Sequence, residues 1–165
     1  MSLIMTMTPV HMRHGGEGLD VVGMVFAAHT FGMFAMSPVA GLLSDRLGRV
    51  PVVVAASLIL IASELVAASA GTSSPRLAVA LFLLGLGWCC SLVSASALVT
   101  ESVSAARRVR VQGVTDSLVW GSAALAGLSS GLLLFAVGYQ TLSAIGVALA
   151  LARLLFVRRA WTEPA

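Results

Sequence analysis

The hydrophobic residues of this chain fall into long continuous blocks that are separated by short polar segments. A bilayer-crossing helix needs about 17–25 residues, and the blocks of that length are 19–41, 51–70, 77–99, 113–137 and 140–157. Residues 1–10 are also apolar, but at 1.5 Å per residue they supply only about half of a ~30 Å hydrocarbon core. The pattern predicts an all-α, polytopic membrane protein with five full transmembrane helices and a partial helix before them.

Glycine and proline predict where these helices bend or end. Pro38 should bend or end the first full span shortly after it, because a proline ring disrupts the helix interior. The polar segment 41–50 predicts a turn, and Pro51 suits the first position of the next helix, where a missing N–H costs nothing. We expect a single transmembrane domain over residues 1–165, whose N-terminal piece is the end of a helix that begins earlier.

The charged residues are few and are placed at the ends of the apolar blocks. The chain is 58% hydrophobic and 10% charged, whereas soluble domains carry about 25% charged residues. The basic residues are all arginine, and they are not clustered on one accessible face with aromatic neighbours. The expected partner is therefore the lipid bilayer, and a nucleic-acid partner is not expected.

The positions of the arginines also predict orientation, because basic loops are retained in the cytoplasm. Most arginines lie in the 41–50 turn, in the 100–112 connection and in the C-terminal tail. The other loops contain only Arg13 and Arg76. We expect a multi-pass protein of the plasma membrane with a cytoplasmic C-terminus.

Nothing in the sequence indicates an enzyme. There is no nucleophile with a neighbouring base, no phosphate-binding loop and no cysteine–histidine zinc spacing. The two cysteines, Cys89 and Cys90, are adjacent inside an apolar block, so they point in different directions around a helix and do not form a disulfide framework. No bound cofactor is expected.

A specific motif lies in the turn after the first full span. The spacing Gly-x-x-x-Asp-Arg-x-Gly-Arg places Gly41, Asp45, Arg46, Gly48 and Arg49. It closely resembles the signature loop of the major facilitator superfamily, although that pattern often continues with a basic residue and this chain has Val50. The resemblance implies a transporter with alternating access, in which Asp45, Arg46 and Arg49 form a charge relay that gates one conformation.

The resemblance also implies which part of a transporter this chain is. One and a half spans precede the motif and four follow it, which matches the second copy of the signature loop. The chain would then be the C-terminal half of a twelve-helix transporter, from late helix seven to helix twelve. Its partner would be a separate or missing N-terminal half.

Soft ligands at the start of the chain suggest copper as one transported substrate. His29 lies about 15 Å into the first full span at 1.5 Å per residue, near the bilayer midplane. Histidine nitrogen and methionine sulfur suit Cu(I). The candidate ligands are Met1 and Met5 on one helix and His29, Met33 and Met36 on the next. This arrangement resembles the copper-importer branch of the superfamily, but methionines also fill gaps in apolar helices.

Two acidic residues leave other functions open. Glu64 lies inside the second span and Asp116 near the cytoplasmic start of the fourth, so either could carry a coupling proton or could be a satisfied packing contact. A proton-coupled transporter of a small solute or drug is therefore an alternative to copper uptake. A further alternative is a truncated fragment that does not transport without its N-terminal half.

Overall fold

The computed structural model describes the backbone of residues 1–162 and the side chains of residues 1–159. These residues form helices and no strand, which confirms the all-helical prediction. The helices are α1 (Ser2–His14), α2 (Leu19–Phe34), α3 (Ser37–Leu47), α4 (Arg49–Ser69), α5 (Ser74–Glu101) and α6 (Ala105–Thr162). The rest of the C-terminal tail lies outside the described residues.

The membrane-length helices follow the apolar blocks. Within the described residues, four helical stretches are long and apolar enough to span a bilayer: Leu19–Leu47, Arg49–Ser69, Ser74–Glu101 and Ala105–Arg159. The last has 55 residues, which is long enough to cross twice. It is interrupted at Gly138, where φ is 76° and ψ is 170°. We call residues 105–137 the N-terminal arm of α6 and residues 139–162 its C-terminal arm.

The turn at the signature motif is shorter than the sequence suggests. The helix continues through Leu47, since the leucines, serine, aspartate and arginine of the motif are all tolerated in a helix. Only Gly48 leaves the helical conformation, with φ at 94° and ψ at 157°. Pro51 is the third residue of α4 and still lies in the first turn, where no intrahelical N–H bond is lost.

Two other helix boundaries differ from the predicted ones. The first span breaks at Ala35 and Met36, before Pro38 rather than after it, and Pro38 lies in the first turn of α3, where its fixed φ is accommodated. The first helix runs on to His14, four residues beyond the predicted end at residue 10. The polar residues of the predicted loop therefore extend α1.

Helix α5 lies at the centre of the bundle and packs against both α2 and α4. Its residues Leu77, Leu81 and Leu84 are completely buried. Small residues let its neighbours approach: a Cβ added at Gly87 would lie 2.8 Å from Cγ of Leu60 on α4. Helix α6 packs against α4 and α1. This arrangement places α4, α5 and the C-terminal arm of α6 around a common interior.

Candidate functional site

Arg49 connects the signature motif to the far end of α5. Its Nη2 and Nε donate hydrogen bonds to Oε1 of Glu101, at 2.8 and 3.2 Å. Its Nη1 donates to Oδ1 of Asp45 and, at 3.2 Å, to Oγ of Ser44. The guanidinium therefore joins the last turn of α3, the first residue of α4 and the last residue of α5.

The ion pair within the motif joins two of its three charged residues. Asp45 pairs with Arg49, one helical turn away, while the neighbouring Arg46 is exposed. Gly48 makes the turn that brings Arg49 back toward α3, but Gly41 lies inside α3 with no described atom within 4 Å of a Cβ placed there. The Asp45 and Glu101 side chains are 66% and 56% exposed, so solvent weakens each ion pair and the network can open at small cost.

Glu64 is the most deeply buried acidic side chain of the described residues, at 2% exposed. It lies on α4 against the C-terminal arm of α6, where Gly146 makes room: a Cβ there would lie 2.6 Å from the carboxyl carbon. Its Oε2 has no hydrogen-bond partner among the described residues. A carboxyl group inside a membrane span is costly and by default a functional candidate.

A half-buried arginine shares the cavity of this carboxyl. Arg153, on the C-terminal arm of α6, and Glu64 both line a cavity of about 180 Å³. The Arg153 Nη2 donates a hydrogen bond to Oγ of Ser91 on α5, at 2.8 Å. The cavity therefore holds one acidic and one basic side chain, each supplied by a different helix, with Ser91 as the current partner of the base.

Asp116, the other predicted proton carrier, has a partner. Its Oδ1 accepts a hydrogen bond from Nε2 of Gln112 at 2.8 Å, one turn earlier in α6. The same Gln112 nitrogen lies 3.4 Å from Oγ of Ser96 on α5. Asp116 is only half-buried, so its surroundings are those of a polar contact between α6 and α5.

The side chain of His29 is 1% exposed and is oriented by α5. Its Nδ1–H donates to the carbonyl oxygen of Leu81 at 2.9 Å, so in the neutral ring Nε2 is an acceptor, and Nε2 has no partner among the described residues. Met33 follows one turn later and Met36 lies at the break before α3; both are half-buried.

The methionines at the start of the chain belong to α1, whereas His29 belongs to α2. Helix α1, which carries Met1 and Met5, packs chiefly on α6, whereas α2 packs chiefly on α5. Met1 lies beside the buried carboxyl, with its amino nitrogen 4.0 Å from Oε1 of Glu64. Among the described residues, the side chains of histidine, cysteine, aspartate and glutamate form no group of three that could hold a metal ion. The predicted copper ligands stay a prediction.

Two tryptophans pack together on the side of α5 that faces α6. The ring centroids of Trp88 and Trp120 are 6.3 Å apart and the ring planes make an angle of 66°. A cavity of about 400 Å³ lies beside Trp88, between α1, α5 and both arms of α6. The sequence analysis did not single out either residue.

A polar cluster joins three segments at the opposite end from Arg49. The Tyr139 and Thr8 hydroxyls are 2.8 Å apart, and because Thr8 donates to the Ile4 carbonyl, Tyr139 donates to Thr8. The His11 ring stacks on Tyr139, with centroids 4.1 Å apart, and its Nε2–H donates to the Gly71 carbonyl at 2.8 Å. The cluster ties α1, the α4–α5 loop and the kink of α6 together.

Comparison with known proteins identifies the family. The family model described as Major Facilitator Superfamily matches residues 1–165. The chain belongs to the major facilitator superfamily. It is 43% identical over 152 residues to the MFS-type transporter YdeG of Bacillus subtilis, an alignment that covers 92% of this chain and 35% of that protein.

Other members of the superfamily are also similar. The riboflavin transporter RfnT of Brucella anthropi is 32% identical over 143 residues, covering 87% of this chain and 36% of RfnT. The multidrug resistance protein MdtL of Escherichia coli is 29% identical over 146 residues, covering 86% and 37%. The chain thus spans about a third of the length of the curated relatives it matches. It is a multi-pass membrane protein of this transporter family.

The structure adds residues that the sequence analysis missed in this superfamily member. Glu101 is far from Arg49 in the chain, and nothing local marks it as a partner. Arg153 was grouped with the arginines at helix ends, although it lies inside an apolar block between Leu151 and Leu155. Its position within the block is the signal that could have identified it.

Proposed function

We propose that this chain forms the C-terminal half of a secondary transporter that moves a small organic solute across the plasma membrane together with a proton. The observation that carries this proposal is the buried carboxyl of Glu64, with Oε2 unpartnered among the described residues and Arg153 in the same cavity. Its other half would supply the opposite wall of an alternating-access site.

The arrangement of Glu64 and Arg153 suits reversible proton binding. With the proton on, Glu64 is neutral and Arg153 keeps its bond to Ser91. With the proton off, the carboxylate attracts the guanidinium, and a shift of Arg153 from Ser91 toward Glu64 would change the packing of α6 on α4 and α5. One proton would thereby alter the packing of three helices.

The placement of charge supports the orientation and the gate. Because arginine-rich connections are retained in the cytoplasm, we place the Arg49 network and the C-terminus on that side. The three-helix contact of Arg49 would hold this side closed, and its exposed ion pairs would let it open during each cycle. Asp45 and Glu101 would be the anionic partners of the gate.

Two kinds of observation favour an organic solute. Relatives that match most of this chain are named for riboflavin transport and for multidrug resistance. The cavity beside Trp88 is walled mainly by apolar side chains, as is usual for sites that bind organic molecules. Glu64 lines the adjoining cavity, where a coupling proton could respond to bound solute.

Copper transport is a second candidate because of one observation at His29. A ring whose Nδ1–H is fixed by a backbone carbonyl presents Nε2 in the orientation typical of a metal ligand, and this Nε2 is buried without a described partner. Cellular copper accumulation by the complete transporter tests it. Loss in His29→Ala and Met33→Ala would favour copper, and unchanged accumulation in both would rule out this site.

Uptake into proteoliposomes that contain the intact transporter tests the proton proposal. Candidate organic solutes are supplied with and without an imposed pH gradient. We expect Glu64→Gln to abolish accumulation driven by the gradient while solute still exchanges across the membrane. Asp116→Asn is the matched control and should keep gradient-driven accumulation. Normal accumulation in Glu64→Gln would refute the proposal.

Two further experiments test the assignment to one half of a transporter. Reading the coding DNA on both sides of this segment will show whether an in-frame N-terminal half precedes it. If this chain is made alone, co-expression with a separate N-terminal half should restore transport that the chain lacks by itself. Transport by the isolated chain would contradict the assignment.

A further inference from the structure

Trp88 and Trp120 meet near the middle of the two membrane-length helices that carry them. At 1.5 Å per residue, Trp88 lies about 20 Å from either end of α5. Trp120 lies about 22 Å from the start of α6 and about 27 Å from the kink at Gly138. Tryptophans that anchor helices are enriched at the two membrane–water interfaces. A pair at the midplane therefore has another role.

A cavity of ligand size lies beside Trp88, one member of the pair. The adjoining cavity of about 400 Å³ is bounded by Leu3, Trp88, Val119, Ser122, Ala126 and Leu149, among others. Cavities that hold small organic ligands are about 300–1,000 Å³. The Ser122 hydroxyl donates to the Val119 carbonyl at 2.9 Å, which leaves its oxygen free to accept a hydrogen bond from a ligand.

The exposure of the two rings differs in a way that suits stacking. Trp88 is half-buried between α5 and α6, and it also lines the Glu64 cavity. Trp120 is 59% exposed. The edge-to-face contact leaves ring surface available on Trp120, and aromatic rings prefer offset-stacked or edge-to-face partners.

We infer that Trp88 and Trp120 form a midplane subsite for a planar aromatic solute, which is the substrate class of the transporter. The inference rests on the proposed function. A ring stacked on the pair would have Ser122 as a hydrogen-bond acceptor at its edge. Because Trp88 and Leu149 line both cavities, the solute would lie next to the space that contains Glu64 and Arg153. The solute site and the proton site would therefore have these two lining residues in common.

Equilibrium binding to the intact transporter in lipid nanodiscs tests the subsite. The probes are the planar dyes acriflavine and ethidium and the neutral aromatic 1-naphthol, measured by fluorescence and by competition, with lactose as a non-aromatic competitor. Stacking on an aromatic side chain strengthens binding, so we expect Trp88→Ala and Trp120→Ala each to raise Kd about tenfold. Phe135→Ala, on the same helix as Trp120 and 96% exposed, is the control and should leave Kd unchanged.

Two further variants separate stacking from helix packing. Trp88→Phe or Trp120→Phe keeps an aromatic ring and should largely preserve binding. Trp88→Leu or Trp120→Leu keeps apolar volume and should weaken binding as much as alanine does. Equal binding by the leucine and phenylalanine variants would overturn the inference. So would failure of folded wild-type protein to bind any of the three probes, or displacement of the dyes by lactose.

The outcome is distinguishable from that of the proposed function. Dye binding is measured at equilibrium without a pH gradient, so it reports on the tryptophans and not on proton-driven transport. If dyes bind at the tryptophans but transport ignores the pH gradient, the proton proposal fails and the subsite stands. If transport is proton-driven but indifferent to both tryptophans, the subsite fails alone.

Discussion

Gly85 on α5 lies directly against the backbone of His29 on α2. A Cβ added at Gly85 would lie 2.3 Å from the His29 carbonyl oxygen. The contact is reciprocal, because a Cβ added at Gly32 would lie 2.5 Å from the Phe82 carbonyl oxygen. Small residues at membrane helix crossings allow this backbone approach. The crossing fixes the position of His29 and of the helix that leads into the signature motif.

Substitution at this crossing should destabilise the bundle. Gly85→Ala forces a methyl group into the α2 backbone, which cannot move aside as a side chain can, and overpacking of this kind costs about 1–3 kcal/mol. Thermal unfolding of the detergent-solubilised protein measures it. Gly113→Ala, on α6 with no described atom within 4 Å of the added Cβ, is the control. Equal midpoints for the two variants would contradict the close crossing.

The turn at Gly48 gives a second prediction. Its φ of 94° and ψ of 157° fall in a region that is essentially restricted to glycine, where other residues pay about 1–3 kcal/mol. Gly48→Ala should therefore lower the unfolding temperature. Gly41→Ala, seven residues earlier in the same motif, places its methyl group in open space inside a helix and should not lower it. A smaller loss at position 48 than at 41 would disprove the assigned turn.

The helices were predictable because membrane thickness imposes a length on apolar blocks, and the chain shows those blocks plainly. The exact residues at which the helices break were harder to predict from the sequence. Residues 41–47 include polar and charged side chains that also suit a helix end, so polarity alone suggested a longer turn than the single residue Gly48 provides. The gap between the predicted spans 113–137 and 140–157 contains Gly138, where α6 leaves the helical conformation.

The Arg49 network predicts how this end of the helix bundle opens. Ser44 is 1% exposed and accepts a hydrogen bond from Arg49, so a cysteine at position 44 reports separation of α3 from α4. Maleimide labelling of Ser44→Cys should be faster when Arg49→Gln is added. Higher salt should also speed labelling, because exposed ion pairs are screened.

Two comparisons make this prediction specific. Arg46→Gln removes an exposed charge of the same motif and should leave the labelling rate unchanged. Glu101→Gln should accelerate labelling in wild type but add little once Arg49 is replaced, because both changes remove the same contact. Equal effects of Arg46→Gln and Arg49→Gln would mean that net charge, and not this network, keeps α3 packed against α4.

The polar cluster around Tyr139 gives a stability prediction. Tyr139→Phe removes the hydrogen bond to Thr8 and should cost about 0.5–1.5 kcal/mol, the usual net value of one such bond. The Thr8 hydroxyl keeps its bond to Ile4, which limits the loss. Thermal unfolding is again the measurement. Thr141→Val, an exposed neighbour, should change stability by less than about 0.5 kcal/mol, and an equal loss in both variants would argue against the cluster.

The candidate site was only partly predictable from sequence, for reasons of distance and context. Glu64 is conspicuous because a carboxylate interrupts an apolar block. Its neighbour Arg153 comes from another helix, and Gly146, which admits the carboxyl, has no local signature that separates it from any other helix-packing glycine. Trp88 and Trp120 belong to separate spans, and only the packing of α5 against α6 shows that they touch.

The central claim is that Glu64 binds and releases the coupled proton. Infrared difference spectroscopy of the intact transporter during a pH titration observes this directly, since a protonated carboxyl has its own carbonyl stretch. We predict a band in wild type that disappears as pH rises and is absent from Glu64→Gln, while Asp116→Asn retains it. Absence of a titrating carboxyl band in wild type, or its persistence in Glu64→Gln, would contradict the account.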